Sequence, residues 1–223
     1  MSKGPIFTAR SFDEYIKMFS LNLNLLKNKN ILDCAAGASS FAAVMNKKGY
    51  KVTALDLLYD KDPQFLKKIC ENHLNVLISA LSPFKHHFKW NYFKNLHELK
   101  EHRLIAQTEF LKDYTKHRGK KYIKADLTKL PFNDNAFSLV LCSHLLFIYD
   151  HRLSYEFHLN SINEMIRVGD EVRIYPLVKH KAMKSEFVKQ IEHDLMEKAD
   201  IKIEKVNYEF RLGGNEMMRL IKN

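Results

Sequence analysis

Apolar positions in the first sixty residues follow helical spacing in some stretches and form short continuous runs in others. From Phe12 to Leu23 they recur at helical spacing, behind a Ser11/Glu14 pair that is typical of a helix start. Two later apolar runs, each followed by or ending in a carboxylate, are typical of buried strands. The predicted elements are a helix (12–27), a strand (29–34), a helix (38–48) and a strand (51–55).

The alternation is interrupted after the second strand. The carboxylates of Asp56 and Asp126, which follow the second and third predicted strands, are 70 residues apart, whereas a strand–helix–strand unit needs about 30 residues. Helices are predicted over 63–81 and 95–117, with an aromatic and basic patch at 84–93 between them. We therefore expect one domain, 1–223, that carries a helical cap insertion at 60–119.

The second half returns to strands and helices in turn and ends differently. A Gly-Gly-Asn connection joins the last two apolar stretches, which indicates a hairpin and hence an antiparallel pair. The predicted fold class is α/β, a doubly wound and mostly parallel sheet. The elements are strands at 121–125, 137–142 and 171–175, helices at 152–167 and 181–198, and hairpin strands at 201–210 and 216–221.

Composition excludes several classes of protein. Hydrophobic residues make up 46% of the chain, enough for a core, and no apolar run has the length of a membrane span. The three cysteines are far apart in the sequence, which predicts neither a disulfide framework nor a zinc site, and we expect no metal. The start of the chain lacks the pattern of a signal peptide, so we expect a cytoplasmic protein. The net charge of +10 leaves a nucleic-acid partner open.

Candidate chemistry lies where the predicted strands end. Asp33, Asp56 and Asp126 each follow or close an apolar strand, and the first is followed by a loop of very small side chains, 35–40. In an open α/β sheet, nucleotide-like ligands bind at the carboxyl ends of the strands. A carboxylate after the second strand can accept hydrogen bonds from a ribose diol.

These residues resemble those of the class I S-adenosylmethionine-dependent methyltransferases, over about 29–60 and 120–222. The resemblance implies a seven-stranded Rossmann-like sheet in the order 3-2-1-4-5-7-6, with strand 7 antiparallel. It also implies S-adenosylmethionine as cofactor and S-adenosylhomocysteine as product. The cofactor-binding positions that it implies are Asp33, Ala35, Ala36, Gly37, Ser39, Asp56, Leu57, Ala125, Asp126, Leu127, Cys142 and Ser143.

Each implied role falls on a particular position. Asp33 corresponds to the acid that helps to hold the methionine ammonium, Asp56 to the acid that binds the ribose, and Asp126 to the acid at the adenine amino group. Ala35 and Ser39 depart from the family, because they stand where glycine is usual. The chain also lacks the Asn/Asp-Pro-Pro-Tyr/Phe motif after strand 4, which argues against methylation of adenine in DNA.

The sequence says less about which residues would bind the methyl acceptor. His144 follows strand 4 and is a candidate general base, or alternatively a residue that positions the acceptor. Cys142 fits a buried strand cysteine better than a nucleophile. The N-terminal helix could form part of the core or a lid. Candidate acceptor-binding residues are Tyr15, Phe19, Trp90, Tyr149 and Tyr175.

The sequence therefore predicts a methyltransferase that acts on oxygen or nitrogen of a small-molecule or peptide acceptor. An RNA methyltransferase and a non-catalytic cofactor-binding protein of the same fold remain alternatives. A nicotinamide dehydrogenase is disfavoured, because one glycine remains in the loop and the third acid has no role there. No membrane partner is expected, and the oligomeric state stays open.

Overall fold

A computed structural model describes residues 5–179 and 183–223. Its centre is a seven-stranded sheet in the order β3-β2-β1-β4-β5-β7-β6. All neighbouring pairs are parallel except those that involve β7, which is antiparallel to both β5 and β6. The predicted strand order is confirmed. The strands are β1 (Asn30–Cys34), β2 (Lys51–Leu55), β3 (Tyr122–Ile123), β4 (Leu139–Ser143), β5 (Glu171–Tyr175), β6 (Ala199–Lys205) and β7 (Glu216–Lys222).

Helices cover both faces of the sheet. Successive residues of the buried strands point to opposite faces, so that Ile31 joins one hydrophobic cluster and Leu32 the other. The first cluster lies under α1 to α4, and the second lies under α5 and α6. The helices are α1 (Phe12–Met18), α2 (Phe41–Lys47), α3 (Pro63–Leu81), α4 (Leu96–His117), α5 (Tyr155–Val168) and α6 (Phe187–Leu195). No helix among the described residues is both long and apolar enough to cross a membrane.

Side-chain caps set several helix starts. The Ser11 hydroxyl accepts a hydrogen bond from the Glu14 amide, and the Glu14 carboxylate accepts one from the Ser11 amide, which is the predicted capping box of α1. Asp62 and Asn95 cap α3 and α4 in the same way with one side-chain bond each. Pro63 occupies the first turn of α3, where its missing amide proton is not needed.

Three predicted elements differ from the structure by more than three residues at one end. The helix expected over 12–27 ends at Met18, because Ser20 adopts a φ of +47° and the chain continues into a 3₁₀ helix at Leu23–Leu26. The strand expected over 201–210 ends at Lys205, and the residues after it form a loop. The helix expected over 181–198 spans Phe187–Leu195, and the start of that prediction lies outside the described residues.

The stretch at 60–119 folds as α3, a 3₁₀ helix (Ser82–His87) and α4. Leu66 and Cys70 of α3, and Leu99 and Phe110 of α4, are buried in the first hydrophobic cluster. These helices are therefore packed against the main core. Their description as a cap over an acceptor stays a prediction.

Candidate functional site

The three predicted aspartates lie along one edge of the sheet. Asp33 is the penultimate residue of β1, Asp56 follows β2 directly, and Asp126 lies three residues beyond β3. Because β3, β2 and β1 are adjacent and parallel, their carboxyl ends meet at the same edge. The topology therefore brings these acids to the place where α/β sheets bind ligands.

Asp33 is buried, and only one of its two carboxylate oxygens has a hydrogen-bond partner among the described residues. Its Oδ1 accepts a hydrogen bond of 3.1 Å from the Tyr15 hydroxyl. Its Oδ2 is buried and has no hydrogen-bond partner among the described residues. Burial raises the pKa of Asp33 well above its ordinary value, the Tyr15 hydrogen bond opposes that rise, and the nearby charge of Asp56 adds to it. A cationic group beside Oδ2 would restore the ionised form.

The small-residue loop after β1 is tied to Asp56. Asp56 Oδ2 accepts from the Gly37 amide at 3.1 Å, and its Oδ1 accepts from the Leu58 amide at 3.0 Å. The Tyr59 hydroxyl donates to the Gly37 carbonyl at 2.6 Å. Burial raises the pKa of Asp56 to about 6, although the two amides oppose the rise. Gly37 has a φ of +59°, which favours glycine, while Ala35 adopts a similar φ of +51° with a methyl group.

The chain before α1, residues 6–10, runs across this loop, and we call it the N-terminal segment. The Ala38 amide donates to the Thr8 carbonyl at 3.2 Å, and the Ser40 amide donates to the Arg10 carbonyl at 2.9 Å. A Cβ on Gly37 would lie 3.0 Å from the Thr8 carbonyl oxygen. The loop is thus enclosed between the sheet and the N-terminal segment.

The remaining cofactor candidates at this end differ in their surroundings. Asp126 is exposed, and its Oδ1 accepts from the Thr128 amide at 2.9 Å and the Thr128 hydroxyl at 2.8 Å. Ala125 and Leu127 are buried in the second cluster, whereas Leu57 is 58% exposed. Ala36 and Ser39 are buried in the loop.

Three further candidate residues, Cys142, Ser143 and His144, follow one another at the end of β4. Cys142 is buried, and burial raises its pKa to about 12, so its thiol is not a ready nucleophile. The Ser143 Oγ lies 2.8 Å from His144 Nδ1. The His144 amide donates to the Tyr175 carbonyl at 2.7 Å, and the two rings are 5.4 Å apart. Burial lowers the pKa of His144 well below its ordinary value, and the guanidinium groups around it lower it further.

These guanidinium groups belong to a charge cluster that the sequence did not predict. Glu14 is fully buried and is paired with Arg103 through two hydrogen bonds, of which that from Nη2 to Oε1 measures 2.9 Å. The Tyr208 hydroxyl donates to the same Oε1 at 2.6 Å. Arg10 lies 3.9 Å from Glu14 and is the more loosely paired of the two arginines. With Arg211, these arginines are the charges that lower the pKa of His144.

The predicted acceptor-binding residues separate into two groups. Tyr15, Phe19 and Tyr175 form a series of ring contacts that ends at His144, with centroid separations of 5.5 Å, 6.3 Å and 5.4 Å. Tyr149 reaches the N-terminal segment, because its hydroxyl accepts from the Ile6 amide at 3.1 Å. Trp90 instead packs edge-on against Phe210 in the aromatic patch and donates to the Lys85 carbonyl.

Two cavities are described in the structure. One, of about 560 Å³, is lined by Asp150, His151, Arg152, Lys179, Glu186 and Phe187. The other, of about 330 Å³, lies between α1 and the loop after β6. None of the predicted cofactor residues lines either cavity. Among the described residues, no three His, Cys, Asp or Glu side chains are grouped so that they could hold a metal ion.

Comparison with known proteins adds independent findings. Residues 100–168 match a family model described as a methyltransferase domain. The chain is 39% identical over 217 residues to the uncharacterized protein MJ0045 of Methanocaldococcus jannaschii, which covers 97% of this chain and 96% of that protein.

Solved structures with a similar fold are distant in sequence. One is the magnesium protoporphyrin IX methyltransferase of Synechocystis with bound SAM, at 13% identity and a TM-score of 0.48, over 90% of this chain and 73% of that one. Another is the PH0226 protein of Pyrococcus horikoshii, at 12% identity and a TM-score of 0.48, over 88% of this chain and 83% of that one. At this distance they add nothing to what the strand order establishes.

Proposed function

The chain belongs to the same family as the Methanocaldococcus protein and has the class I S-adenosylmethionine-dependent methyltransferase fold, and from this premise we propose that it is a methyltransferase. We propose S-adenosylmethionine as its cofactor and oxygen or nitrogen of a small-molecule or peptide acceptor as its target. The observation that carries the proposal is the buried, unpartnered Oδ2 of Asp33 at the carboxyl edge of the sheet.

An unpartnered carboxylate oxygen in the core is costly unless a ligand completes it. The methionine end of the cofactor carries an ammonium group, which would donate to Asp33 Oδ2 and neutralise the buried charge. The amides of Gly37 and Leu58 hold Asp56 in one orientation and leave lone pairs for ribose hydroxyls. We assign the adenine end to Asp126 and to the backbone of Leu127.

When bound, the cofactor would supply an activated methyl group on a sulfonium. The protein has to place an acceptor atom in line with that methyl group, exclude water and accept a proton where the acceptor carries one. His144 is suited to accept the proton, because its lowered pKa keeps the imidazole neutral at pH 7. Its Nδ1 is engaged by Ser143, which leaves Nε2 for the acceptor.

Exclusion of water is assigned to the N-terminal segment. Its carbonyls at Thr8 and Arg10 are bonded to the loop amides of Ala38 and Ser40, so it already covers the loop. We infer that this segment moves to admit the cofactor and closes again over it.

Calorimetric titration with S-adenosylhomocysteine tests the proposal. The wild-type protein should bind it, and Asp33→Asn should bind at least 10-fold more weakly, because a charge-assisted hydrogen bond contributes about 1.5–3 kcal/mol. The same substitution should leave the melting temperature nearly unchanged, because burial raises the pKa of Asp33 and already disfavours its charged form in the protein without ligand. Asp200→Asn, an exposed carboxylate on β6, is the matched control and should change neither quantity.

Two results would contradict the proposal. If the folded wild-type protein does not bind S-adenosylhomocysteine, the chain is not a methyltransferase. If Asp33→Asn binds as tightly as the wild type, the ammonium is not held at Asp33. Binding without transfer to any acceptor would favour the non-catalytic protein of the same fold.

A further inference from the structure

The hydroxyl group of Tyr15 is engaged by Asp33. It donates to Asp33 Oδ1 at 3.1 Å, and the two residues are buried, at 1% and 0% exposed. A phenol hydroxyl has one proton to donate, so this bond leaves none for a methyl acceptor. Tyr15 is among the acceptor-binding residues expected from the sequence, whereas this contact joins it to the carboxylate that we assign to the cofactor.

The ring of Tyr15 is packed tightly on both sides of the hydroxyl. It stacks on Phe41 with a centroid separation of 4.6 Å and an interplanar angle of 13°, and it contacts Phe19 at 5.5 Å. Phe41 is the first residue of α2, directly after the small-residue loop. A ring packed in this way has little freedom to rotate, so its hydroxyl stays directed at Asp33.

The helix that carries this tyrosine is itself fixed to other elements. Glu14 pairs with Arg103 of α4 and accepts a hydrogen bond of 2.6 Å from the Tyr208 hydroxyl. The Phe12 amide donates to the Ser40 hydroxyl at 3.2 Å. These contacts tie α1 to α4, to the loop between β6 and β7, and to the residue before α2. The tyrosine hydroxyl is therefore presented from a fixed position.

The hydrogen bond gives the two oxygens of Asp33 different surroundings. Oδ1 is occupied by the tyrosine, and Oδ2 is buried without a partner among the described residues. Because one oxygen is held, rotation of the carboxyl group is restricted and the free oxygen is presented in one direction. The bond also favours the ionised form of Asp33 and opposes the rise in its pKa that burial causes.

The other ionisable groups around Asp33 do not give this support. The carboxyl group of Asp56, beyond β2, adds to the rise in the pKa of Asp33. The remaining groups are neutral at pH 7, because burial raises the pKa of each; they are Cys34, Cys142, Tyr59 and Tyr122. Among the described residues, Tyr15 is the one hydrogen-bond donor to the Asp33 carboxyl group.

We propose that Tyr15 is a positioning residue of the cofactor site, which orients and supports the Asp33 carboxylate for the ammonium group of S-adenosylmethionine. The inference rests on the proposed function and adds a residue to the same site. Tyr15 then acts through Asp33 on the amino-acid end of the cofactor and has no role at its adenosine end. Removal of the hydroxyl should therefore affect only ligands that carry the ammonium group.

Calorimetric titration of Tyr15→Phe tests this assignment, because phenylalanine keeps the packed ring and removes only the hydroxyl. The affinity for S-adenosylhomocysteine should fall about 10-fold, as for a lost hydrogen bond to a charged group. The affinity for 5′-methylthioadenosine, which has the adenosine and the sulfur but no amino-acid end, should change less than about 2-fold. Tyr155→Phe breaks a tyrosine–aspartate hydrogen bond of 2.7 Å between α5 and α6; it is the matched control and should change neither affinity.

A double-mutant cycle shows whether Tyr15 acts through Asp33. In a protein that already carries Asp33→Asn, Tyr15→Phe should weaken S-adenosylhomocysteine binding less than about 2-fold, since no carboxylate remains to be supported. A loss of about 10-fold in both backgrounds would show that the hydroxyl acts elsewhere and would overturn the inference. Equal losses for both ligands would assign Tyr15 a general structural role and would also overturn it.

The outcomes separate this inference from the proposed function. If the wild type does not bind S-adenosylhomocysteine, the methyltransferase proposal fails and the inference fails with it. If the wild type binds and Tyr15→Phe binds as tightly, the methyltransferase proposal stands and the positioning role alone is refuted.

Discussion

Replacing Glu14 by Gln should strongly destabilise the protein. The carboxylate is fully buried and is the one acid that pairs directly with Arg103, while also accepting from Tyr208 and the Ser11 amide. Glutamine preserves the shape but removes the negative charge, so Arg103 is left buried and unpaired in a cluster with two other arginines. Breaking a buried ion pair in this way costs about 3–5 kcal/mol.

The titration of Glu14 gives a similar magnitude. The two arginines and their hydrogen bonds outweigh burial and lower the pKa of Glu14 from 4.5 to about 2. Each unit of pKa corresponds to about 1.4 kcal/mol, so the ionised form contributes about 3 kcal/mol. Because the folded pKa is depressed, this contribution is present above pH 4.5 and is lost as the pH falls towards 2.

Urea unfolding followed by the fluorescence of Trp90, the one tryptophan in the chain, measures the effect. Glu14→Gln should lower the free energy of unfolding at pH 7 by about 3–5 kcal/mol. The difference from the wild type should shrink between pH 4.5 and pH 2, where the wild type also loses the charge. Glu98→Gln is the matched control, because Glu98 pairs with His102 on the surface of α4, and it should cost less than about 1 kcal/mol. A loss below about 1 kcal/mol for Glu14→Gln would refute the reasoning.

Three further outcomes are expected. The affinity for S-adenosylhomocysteine should be about 10-fold weaker at pH 5 than at pH 8, because a pKa of about 6 leaves Asp56 mostly protonated at pH 5. Asp56→Asn should lose this part of the pH dependence. Equal affinities of the wild type at the two pH values would contradict the assignment of Asp56 to the ribose. By nitrogen NMR, the His144 ring should titrate with a midpoint well below the ordinary value of 6.5, with His144→Gln used to assign the signal; an ordinary midpoint would show that its surroundings are not as described. Gly37→Ala should lower the melting temperature more than Gly119→Ala, since both have positive φ but only Gly37 meets the Thr8 carbonyl; equal losses would mean that the N-terminal segment does not cover the loop.

Local patterns predicted most of the sheet. Apolar runs bounded by carboxylates marked β1 and β2 to within one residue, and the Gly-Gly-Asn connection marked the final hairpin. These features depend on neighbours in the sequence, so the sequence alone carries them. The order of the strands came from the resemblance, because nothing in a single run of residues states which strand it will pair with.

The errors have physical reasons. The expected strand runs to Phe210, and Val206, Tyr208 and Phe210 do continue the period of two that is typical of a strand. In the structure these side chains are buried, with Phe210 stacked on Phe88 at 4.9 Å, and the chain pairs with residues 87–89 through an isolated antiparallel bridge instead of extending β6. The period of a pattern reports which side of the chain is buried, but it does not report what covers that side.

The charge cluster could not be found by reading local patterns. Glu14 carries a complete local explanation as the partner of Ser11 in a capping box, and that explanation is correct. Its second role depends on Arg103, which is 89 residues away on a helix whose exposed and buried charges look alike in sequence. A residue whose local role is fully satisfied gives no reason to search for another.

The charges in this cluster fall into two groups, a close ion pair and two arginines without a close carboxylate partner. One carboxylate and one arginine join α1 to α4 in a neutral pair that the fold needs. The two other arginines, on the N-terminal segment and the loop between β6 and β7, add charge that the fold does not compensate among the described residues. Burying a charge without a close partner costs stability, so these two arginines oppose the stabilisation that the Glu14–Arg103 pair provides. Asp33 is the contrasting case, because a carboxyl can become neutral where an arginine cannot: its Oδ2 has no partner, and burial raises its pKa well above the ordinary value. A cationic ligand group beside Oδ2 would restore the charged form, so the proposed ammonium contact at Asp33 would couple cofactor binding to the ionisation of a carboxyl that the fold alone keeps neutral.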